Sequence, residues 1–101
     1  MVTKEFLLSN GFEFRSWEDN VYTGVESQEG EYTLRNSNVI IRIGYSDLYK
    51  WNYEILNMDS HIRFNADCQD SISISDLQKL FILAKVKINL KKPVNLEQDY
   101  V

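Results

Sequence analysis

Apolar and polar residues alternate through the middle of the chain, a pattern typical of extended segments that bury one face. The longest runs are VIIRIGY at residues 39–45 and YKWNYEIL at residues 49–56, and shorter runs are FEFRSW, VYTGVE, EYTLR and HIRFNA. Each run predicts a strand. Turn-forming residues separate the runs, for example at residues 18–20, 36–38 and 57–60. Short connections of this kind predict an antiparallel meander of about four to six strands.

The second long run carries an unusual aromatic stripe on one of its faces. The stripe consists of Tyr49, Trp51, Tyr53 and Ile55. Aromatic side chains on strands mostly supply buried area, so we expect the stripe to lie in the core. Lys50, Asn52 and Glu54 would then face solvent.

A short helix is predicted at the start of the chain. Thr3 is suited to cap its N-terminus, so the helix would span residues 4–10. Gly11 supplies the left-handed conformation that closes such a helix, and Phe12 would then fold back onto Leu7. A helix of this length does not persist alone in water and must pack on the sheet.

A longer helix is predicted near the end of the chain, where the apolar period changes from two to between three and four. The apolar positions are Leu77, Leu80, Phe81, Ala84 and Ile88. Ser73 and Asp76 have the spacing of a capping box, and Ser75 with Gln78 is an alternative start two residues later.

This helix is expected to run to about Asn89, because Pro93 cannot continue it. Leu83 and Val86 would widen its apolar face. Both helices need the same apolar face of the sheet. The prediction is therefore a single α+β domain at residues 1–92, with a short N-terminal helix, an antiparallel meander, a C-terminal helix packed on one sheet face and a tail at residues 93–101.

The amino-acid composition indicates the class of protein to which the chain belongs. The 101 residues are 44% hydrophobic and 26% charged, an ordinary balance for a globular domain. No apolar run approaches the roughly 20 residues of a membrane-spanning helix, and the first residues lack the features of a signal peptide. We therefore expect a cytoplasmic protein. Its single cysteine, Cys68, cannot form an internal disulfide.

Charge is unevenly distributed along the chain. The net charge of −4 argues against a general nucleic-acid binder, which needs a basic surface. Acidic residues dominate the first third, whereas no acidic residue interrupts the lysines between Lys79 and Lys92. The two ends therefore form different surfaces or face each other.

Candidate catalytic and metal-binding residues do not form a recognisable site. His61 and Cys68 could act as base and thiol, but His61 falls on the polar side of its predicted strand, which favours two surface residues. Asp67, Asp70 and Asp76 lack the spacing and the glycine of a calcium loop. The sequence also has no Gly-rich phosphate loop. We expect a non-enzymatic protein without cofactor or metal.

The two ends of the chain support a family resemblance. TKEFLLSNGFEF places a short helix before a Gly-Phe step, and SISDLQKLFIL has a capped helix start of the form Ser/Thr-x-x-[D/E]-L-x-x-L. In this arrangement the chain resembles small proteins carried by phages and mobile elements of Bacteroidetes. The resemblance implies an accessory protein of a mobile element, a class that includes inhibitors of host defence. It implies no catalytic residue.

The leading hypothesis is a protein-binding inhibitor of a host defence protein, such as a nuclease, in the manner of anti-CRISPR proteins. Acidic side chains could stand in for phosphates at a basic channel of that partner. The acidic candidates are Glu18, Asp19, Glu29 and Glu31. The candidate contacts on strands are Arg42, Lys50 and Arg63.

Three alternatives remain open. A nucleic-acid-binding accessory protein would use strand cations, nearby tyrosines and the C-terminal lysines. Its residues would be Arg35, Arg42, Lys50 and Arg63 with Tyr22, Tyr32 and Tyr49. A toxin-immunity protein would use the same surfaces as the inhibitor. A structural phage component would be a homo-oligomer.

Overall fold

The computed structural model describes residues 1–16 and 29–91 of the chain. The elements are α1 (Lys4–Ser9), β1 (Glu13–Ser16), β2 (Gly30–Asn36), β3 (Val39–Ser46), β4 (Lys50–Asn57), β5 (Ile62–Gln69) and α2 (Ile74–Leu83). The five strands of the described residues form one antiparallel sheet whose spatial order follows the chain order. The predicted α+β meander is therefore confirmed. The predicted strand VYTGVE, the acidic turn at Glu18 and Asp19, and the tail at residues 93–101 lie outside the described residues.

Both helices contribute to a core on one face of the sheet. At its centre Ile41, Ile43 and Ile55 are fully buried, and the register places Ile41 directly opposite Ile55. Four buried helix side chains belong to the same cluster: Phe6 and Leu7 from α1, and Leu77 and Phe81 from α2. The removal of this apolar surface from water is the main driving force for the fold.

Both helices begin at the predicted caps. The Thr3 hydroxyl oxygen accepts the backbone N–H of Phe6 at 3.1 Å, and the Ser73 hydroxyl oxygen accepts that of Asp76 at 3.2 Å. Each bond satisfies a donor that the first helical turn leaves without a partner. The alternative start at Ser75 is therefore wrong.

The end of α1 also matches the prediction. Gly11 is left-handed, with a φ of 87°. The N–H of Phe12 returns to the carbonyl of Leu7 at 3.1 Å, and the N–H of Gly11 returns to Leu8 at 3.1 Å. This pair of bonds closes the helix and directs the chain into β1.

The second helix ends earlier than predicted, at Leu83 instead of about Asn89. Lys85 adopts a left-handed conformation with a φ of 58°, and the N–H of Val86 returns to the carbonyl of Phe81 at 2.9 Å. Glycine usually occupies the left-handed position of this motif, so a lysine there gives no sequence signal for the stop. Leu83 itself is 62% exposed, which makes the apolar face of α2 narrower than predicted.

Residues 86–91 continue as an extended segment. Val86 is buried, and Ile88 and Leu90 pack on the core, while Lys87 and Asn89 are exposed. Apolar side chains that contact the core therefore recur at every second residue of this segment. Ile88, which was predicted on the helix face, reaches the core from this segment instead.

Hydrogen bonds with Asn10 and Gln78 tie the extended segment to both helices. The N–H of Lys91 donates to Oδ1 of Asn10 at 2.6 Å, across 81 positions of the chain. The N–H of Leu90 donates to Oε1 of Gln78 at 3.3 Å. Gln78 thus holds the end of the described chain and does not cap its own helix.

The last strand is longer than predicted. Its expected range was residues 61–66, but β5 extends through Cys68 to Gln69. His61 is left-handed in the preceding turn (φ 54°), so it does not belong to the strand. Cys68 is left-handed as well (φ 55°), where the pairing of β5 with β4 shifts register. This shift is a β-bulge.

Asn57 joins the sheet to the end of α2. The side chain is 4% exposed, and its Nδ2 donates to the carbonyl of Ala84 at 2.8 Å and to that of Lys85 at 3.3 Å. Its Oδ1 accepts the N–H of Ser60 at 3.2 Å. The last carbonyls of a helix have no partner within it, so Asn57 satisfies groups that would otherwise be unpaired.

Replacing Asn57 with alanine should lower the free energy of unfolding by about 2 kcal/mol, because two carbonyls lose their donor. Asn57→Asp should cost at least as much, since it places a negative charge at the negative end of α2. Asn89→Ala, at an exposed position after α2, should cost less than about 0.5 kcal/mol. Urea unfolding measures all three variants, and equal losses for Asn57→Ala and Asn89→Ala would contradict the role of Asn57.

Candidate protein-binding surface

The sheet face opposite the helices carries a row of alternating charges across four strands. The row consists of Glu31 on β2, Arg42 on β3, Glu54 on β4 and Arg63 on β5. Oε1 of Glu54 accepts a hydrogen bond from Arg42 at 2.8 Å, and Oε2 accepts two from Arg63 at 2.9 and 3.2 Å. Glu31 lies 3.4 Å from Nε of Arg42. We call this row the charge ladder.

The charge ladder brings together three predicted contact residues, Glu31, Arg42 and Arg63. Glu54, which contacts both arginines, was predicted only to face solvent. The cross-strand register explains the grouping, because Arg42 stands directly opposite Glu54. Two acidic and two basic side chains neutralise each other here. The ladder therefore stabilises the contacts between neighbouring strands and presents no net charge to a partner.

Two further arginines lie beside the charge ladder, on β1 and β2. Arg15 and Arg35 line an open depression of about 480 Å³ together with Arg42. Both are exposed, and neither forms an ion pair with any other part of residues 1–16 and 29–91. Glu31 lines the same depression and stands opposite Arg15, so this corner holds two arginines without an ion pair within the described chain, beside one acidic side chain.

The turn between β3 and β4 exposes two large apolar side chains next to each other. Leu48 is 77% exposed and Tyr49 is 63% exposed. We call residues 46–50 the hairpin tip. Exposed apolar residues are ordinary when they are scattered singly, but an adjacent pair at the end of a hairpin can insert into a partner's pocket.

The aromatic stripe is therefore only partly core. Lys50 starts β4 with a left-handed φ of 62°, which takes Tyr49 out of the alternation, so its predicted burial is wrong. Trp51 and Tyr53 are partly buried against the core, and Ile55 is fully buried. Burial thus increases along β4 away from the hairpin tip.

Side chains on and near the hairpin tip hold its backbone in place. The N–H of Asp47 donates to Oε1 of Glu29 at 2.7 Å, and the N–H of Tyr49 donates to the hydroxyl of Ser46 at 3.0 Å. The hydroxyl of Tyr45 donates to Oδ1 of Asp47 at 3.1 Å. This hydrogen bond, with smaller effects of burial and nearby carboxylates, raises the pKa of Tyr45. The hydroxyl therefore stays protonated and acts as a donor near neutral pH.

Two more predicted contact residues, Glu29 and Lys50, belong to this region. Glu29 supports the turn through its bond to Asp47, and Lys50 follows directly after Tyr49. The predicted contacts of the described chain thus fall on two surfaces, the charge ladder and the hairpin tip. Leu48 is not among the predicted contacts, although a large apolar residue between two strong strand patterns is a signal in the sequence.

The two residues considered as base and thiol, His61 and Cys68, do not come together in the described chain. His61 and Cys68 are both exposed and lie at opposite ends of β5, which separates them by about 20 Å. No group of three or more His, Cys, Asp or Glu side chains is arranged for a metal within the described ranges. In the same ranges, every buried side-chain nitrogen and oxygen has a hydrogen-bond partner.

Tyr32 lies on the helix-covered face and is 1% exposed. Burial, together with the negative charge of Glu5, raises the pKa of its hydroxyl to about 12. Its ring packs on that of Phe14, with the ring centres 4.8 Å apart. Tyr32 therefore cannot stack on a base, as the nucleic-acid alternative required.

Comparison of the chain with protein-family models, curated proteins and solved structures finds no match. Within the described ranges, neither helix is long and apolar enough to cross a membrane.

Removing the charge of Glu54 tests the charge ladder. Glu54→Gln should lower the free energy of unfolding by about 1 kcal/mol at low salt, because Arg63 loses its charged partner and Arg42 loses the nearer of two, at a site only 24% exposed. Glu31→Gln is the matched control, since it breaks one longer contact and should cost less than half as much. Both losses should shrink at high salt, as measured by urea unfolding. Equal costs for the two variants would show that Glu54 has no central role.

Proposed function

We propose that the protein is a non-enzymatic binding module that inhibits or modulates a larger protein by direct contact, with the hairpin tip as its main contact. The observation that supports this function is the exposure of Leu48 and Tyr49 on a turn whose backbone is held by side-chain hydrogen bonds. A few large side chains at well-fixed positions supply most of the binding energy in many protein interfaces.

The hairpin tip has two properties that favour binding. Its backbone is already ordered, so little conformational entropy is lost when a partner contacts it. Asp47 and Lys50 flank the apolar pair, which corresponds to the polar rim around the apolar centre of an interface. A partner would need an apolar pocket for Leu48 and Tyr49 with polar groups at its border.

A host defence protein is the class of partner to test first. The resemblance of the chain ends to small proteins of phages and mobile elements supports this choice, and such a protein would act in the cytoplasm of the host cell. Glu29 and Glu31 are engaged within the chain, by the N–H of Asp47 and by Arg42. We therefore assign the main contact to the apolar pair and give the acidic residues a supporting role.

Changing both residues of the apolar pair tests this function. The double variant Leu48→Ser/Tyr49→Ser should weaken binding to a stoichiometric partner, captured from nuclease-treated Bacteroidetes host lysate, by at least about tenfold. Titration of the purified partner measures the effect. The Kd of the unchanged protein should rise only a few-fold between about 50 and 300 mM salt, because apolar contacts are not screened.

The double variant Ile82→Ser/Leu83→Ser is the matched control. These residues of α2 are 67% and 62% exposed, close to the values of the hairpin tip, so the same amount of apolar surface is removed elsewhere. The control should bind like the unchanged protein. If the two double variants bind equally well, the hairpin tip is not the contact. If binding of the partner instead weakens steeply with salt and is lost in the Glu29→Gln/Glu31→Gln variant, the result supports mimicry of phosphates by the acidic residues.

A second candidate function is nucleic-acid binding through the corner formed by Arg15 and Arg35. Filter binding at about 50 mM salt should then retain single-stranded RNA or DNA, because phosphate contacts are strongest at low salt. Arg15→Gln/Arg35→Gln should abolish retention, and the Leu48→Ser/Tyr49→Ser variant should not change it. If the unchanged protein is not retained, this candidate is excluded.

A further inference from the structure

The outer side of β5 is an open sheet edge within the described chain. β5 pairs with β4 on one side, and no backbone hydrogen bond from residues 1–16 or 29–91 reaches its other side. The left-handed residues His61 and Cys68 bound the regular part. The open run therefore covers residues 62–67, a length of about 20 Å. An edge of this kind is a template for pairing with another strand.

The side chains of the open run alternate between the two faces of the sheet. Arg63, Asn65 and Asp67 lie on the outer face and are exposed, while Ile62, Phe64 and Ala66 are partly buried on the helix side. A second strand would therefore meet a positive, a neutral and a negative side chain in this order on one face. On the other face it would meet two large apolar side chains and one small one.

Symmetry leaves few ways to pair this run with itself. Two antiparallel copies related by a twofold axis keep their outer faces on the same side only if one residue stands opposite its own copy. The axis then passes between the two copies of that residue, which we call an axis at that residue. An axis at Arg63 or Asp67 opposes two like charges, and an axis at Ile62, Phe64 or Ala66 gives Arg63 no carboxylate partner. An axis at Asn65 instead places Arg63 of each copy opposite Asp67 of the other, and Phe64 opposite the small Ala66.

We infer that the protein forms a twofold dimer by antiparallel pairing of β5, with Asn65 at the axis. The charge ladder supports this arrangement, because its signs alternate from Glu31 through Arg42 and Glu54 to Arg63. In the dimer the next side chain across the strands is Asp67 of the second copy. The alternation of charge therefore extends by one side chain across the interface.

A second copy fits this edge better than an unrelated strand. It supplies both opposite charges, at both ends of the pairing, and it covers the partly exposed Phe64 with a small side chain. Opposite charges and size-matched apolar pairs are the cross-strand contacts that stabilise antiparallel strands. The pairing uses none of residues 46–50, so it is independent of the function proposed for the hairpin tip.

Charge reversal tests the dimer by sedimentation velocity over a range of concentrations. Asp67→Arg and Arg63→Asp each place like charges opposite each other twice, and each should raise the dimer Kd by about tenfold or more. An equimolar mixture of the two variants should recover the original Kd, because every arginine then faces an aspartate. Recovery on mixing also excludes unfolding as the cause of the loss.

The matched control is Arg35→Asp, which reverses an exposed arginine of β2 away from the edge and should leave the dimer Kd within about twofold. A chain that stays monomeric up to about 0.5 mM would overturn the inference, since even small interfaces are populated there. It would also be overturned if neither single variant weakened the dimer, or if the mixed variants stayed monomeric.

A disulfide tests the register directly. Opposed residues of antiparallel strands have Cα atoms about 4.5 to 5.5 Å apart, within the range of a disulfide. Asn65→Cys in a Cys68→Ser background should therefore form a cross-linked dimer under mild oxidation. Arg35→Cys in the same background should not. Equal cross-linking of the two variants would overturn the proposed axis.

Discussion

Ile41, Ile43 and Ile55 are kept from water because both ends of the chain fold over the same side of the sheet. Neither end is a stable unit alone, since α1 has 6 residues and α2 has 10, and isolated helices of such lengths are marginal in water. The helices depend on the apolar sheet face, and the sheet face depends on the helices. Asn57 strengthens this mutual dependence, because a strand residue satisfies the end of α2.

A sheet covered on one side must be compatible with water on the other. The charge ladder provides this compatibility and also links four strands through side chains on their solvent-facing side. Glu54 is central because it contacts arginines on both neighbouring strands. The same alternation of charge extends to the β5 edge. The feature that stabilises the monomer thus also selects a second copy as the partner of that edge.

The surface of the described chain has three regions with different chemical properties. The hairpin tip exposes Leu48 and Tyr49 on a turn held by side-chain hydrogen bonds, which suits contact with a protein. The corner around Arg15 and Arg35 presents two exposed guanidinium groups, which suit phosphate. The β5 edge offers backbone groups and a self-complementary sequence. These regions lie on different strands, so single substitutions in one region can be made without changing the others.

The sequence by itself determined the fold class and the helix starts, because these depend on local patterns. The alternating runs predicted the meander, and the hydroxyls of Thr3 and Ser73 predicted the caps. The exposed sites were predicted only in part. Five candidate contacts lie in the described chain, but their grouping into two surfaces was not foreseen, because residues 9 to 18 positions apart meet only through the register.

Tertiary structure decided where α2 ends, which aromatic residues are buried and what Asn57 does. The stop at Lys85 lacks the usual glycine and relies on a bond from a strand 28 residues away. Tyr49 continues the alternating pattern in the sequence, yet the left-handed backbone at Lys50 turns it outward. These features depend on contacts between distant parts of the chain, which no local period encodes.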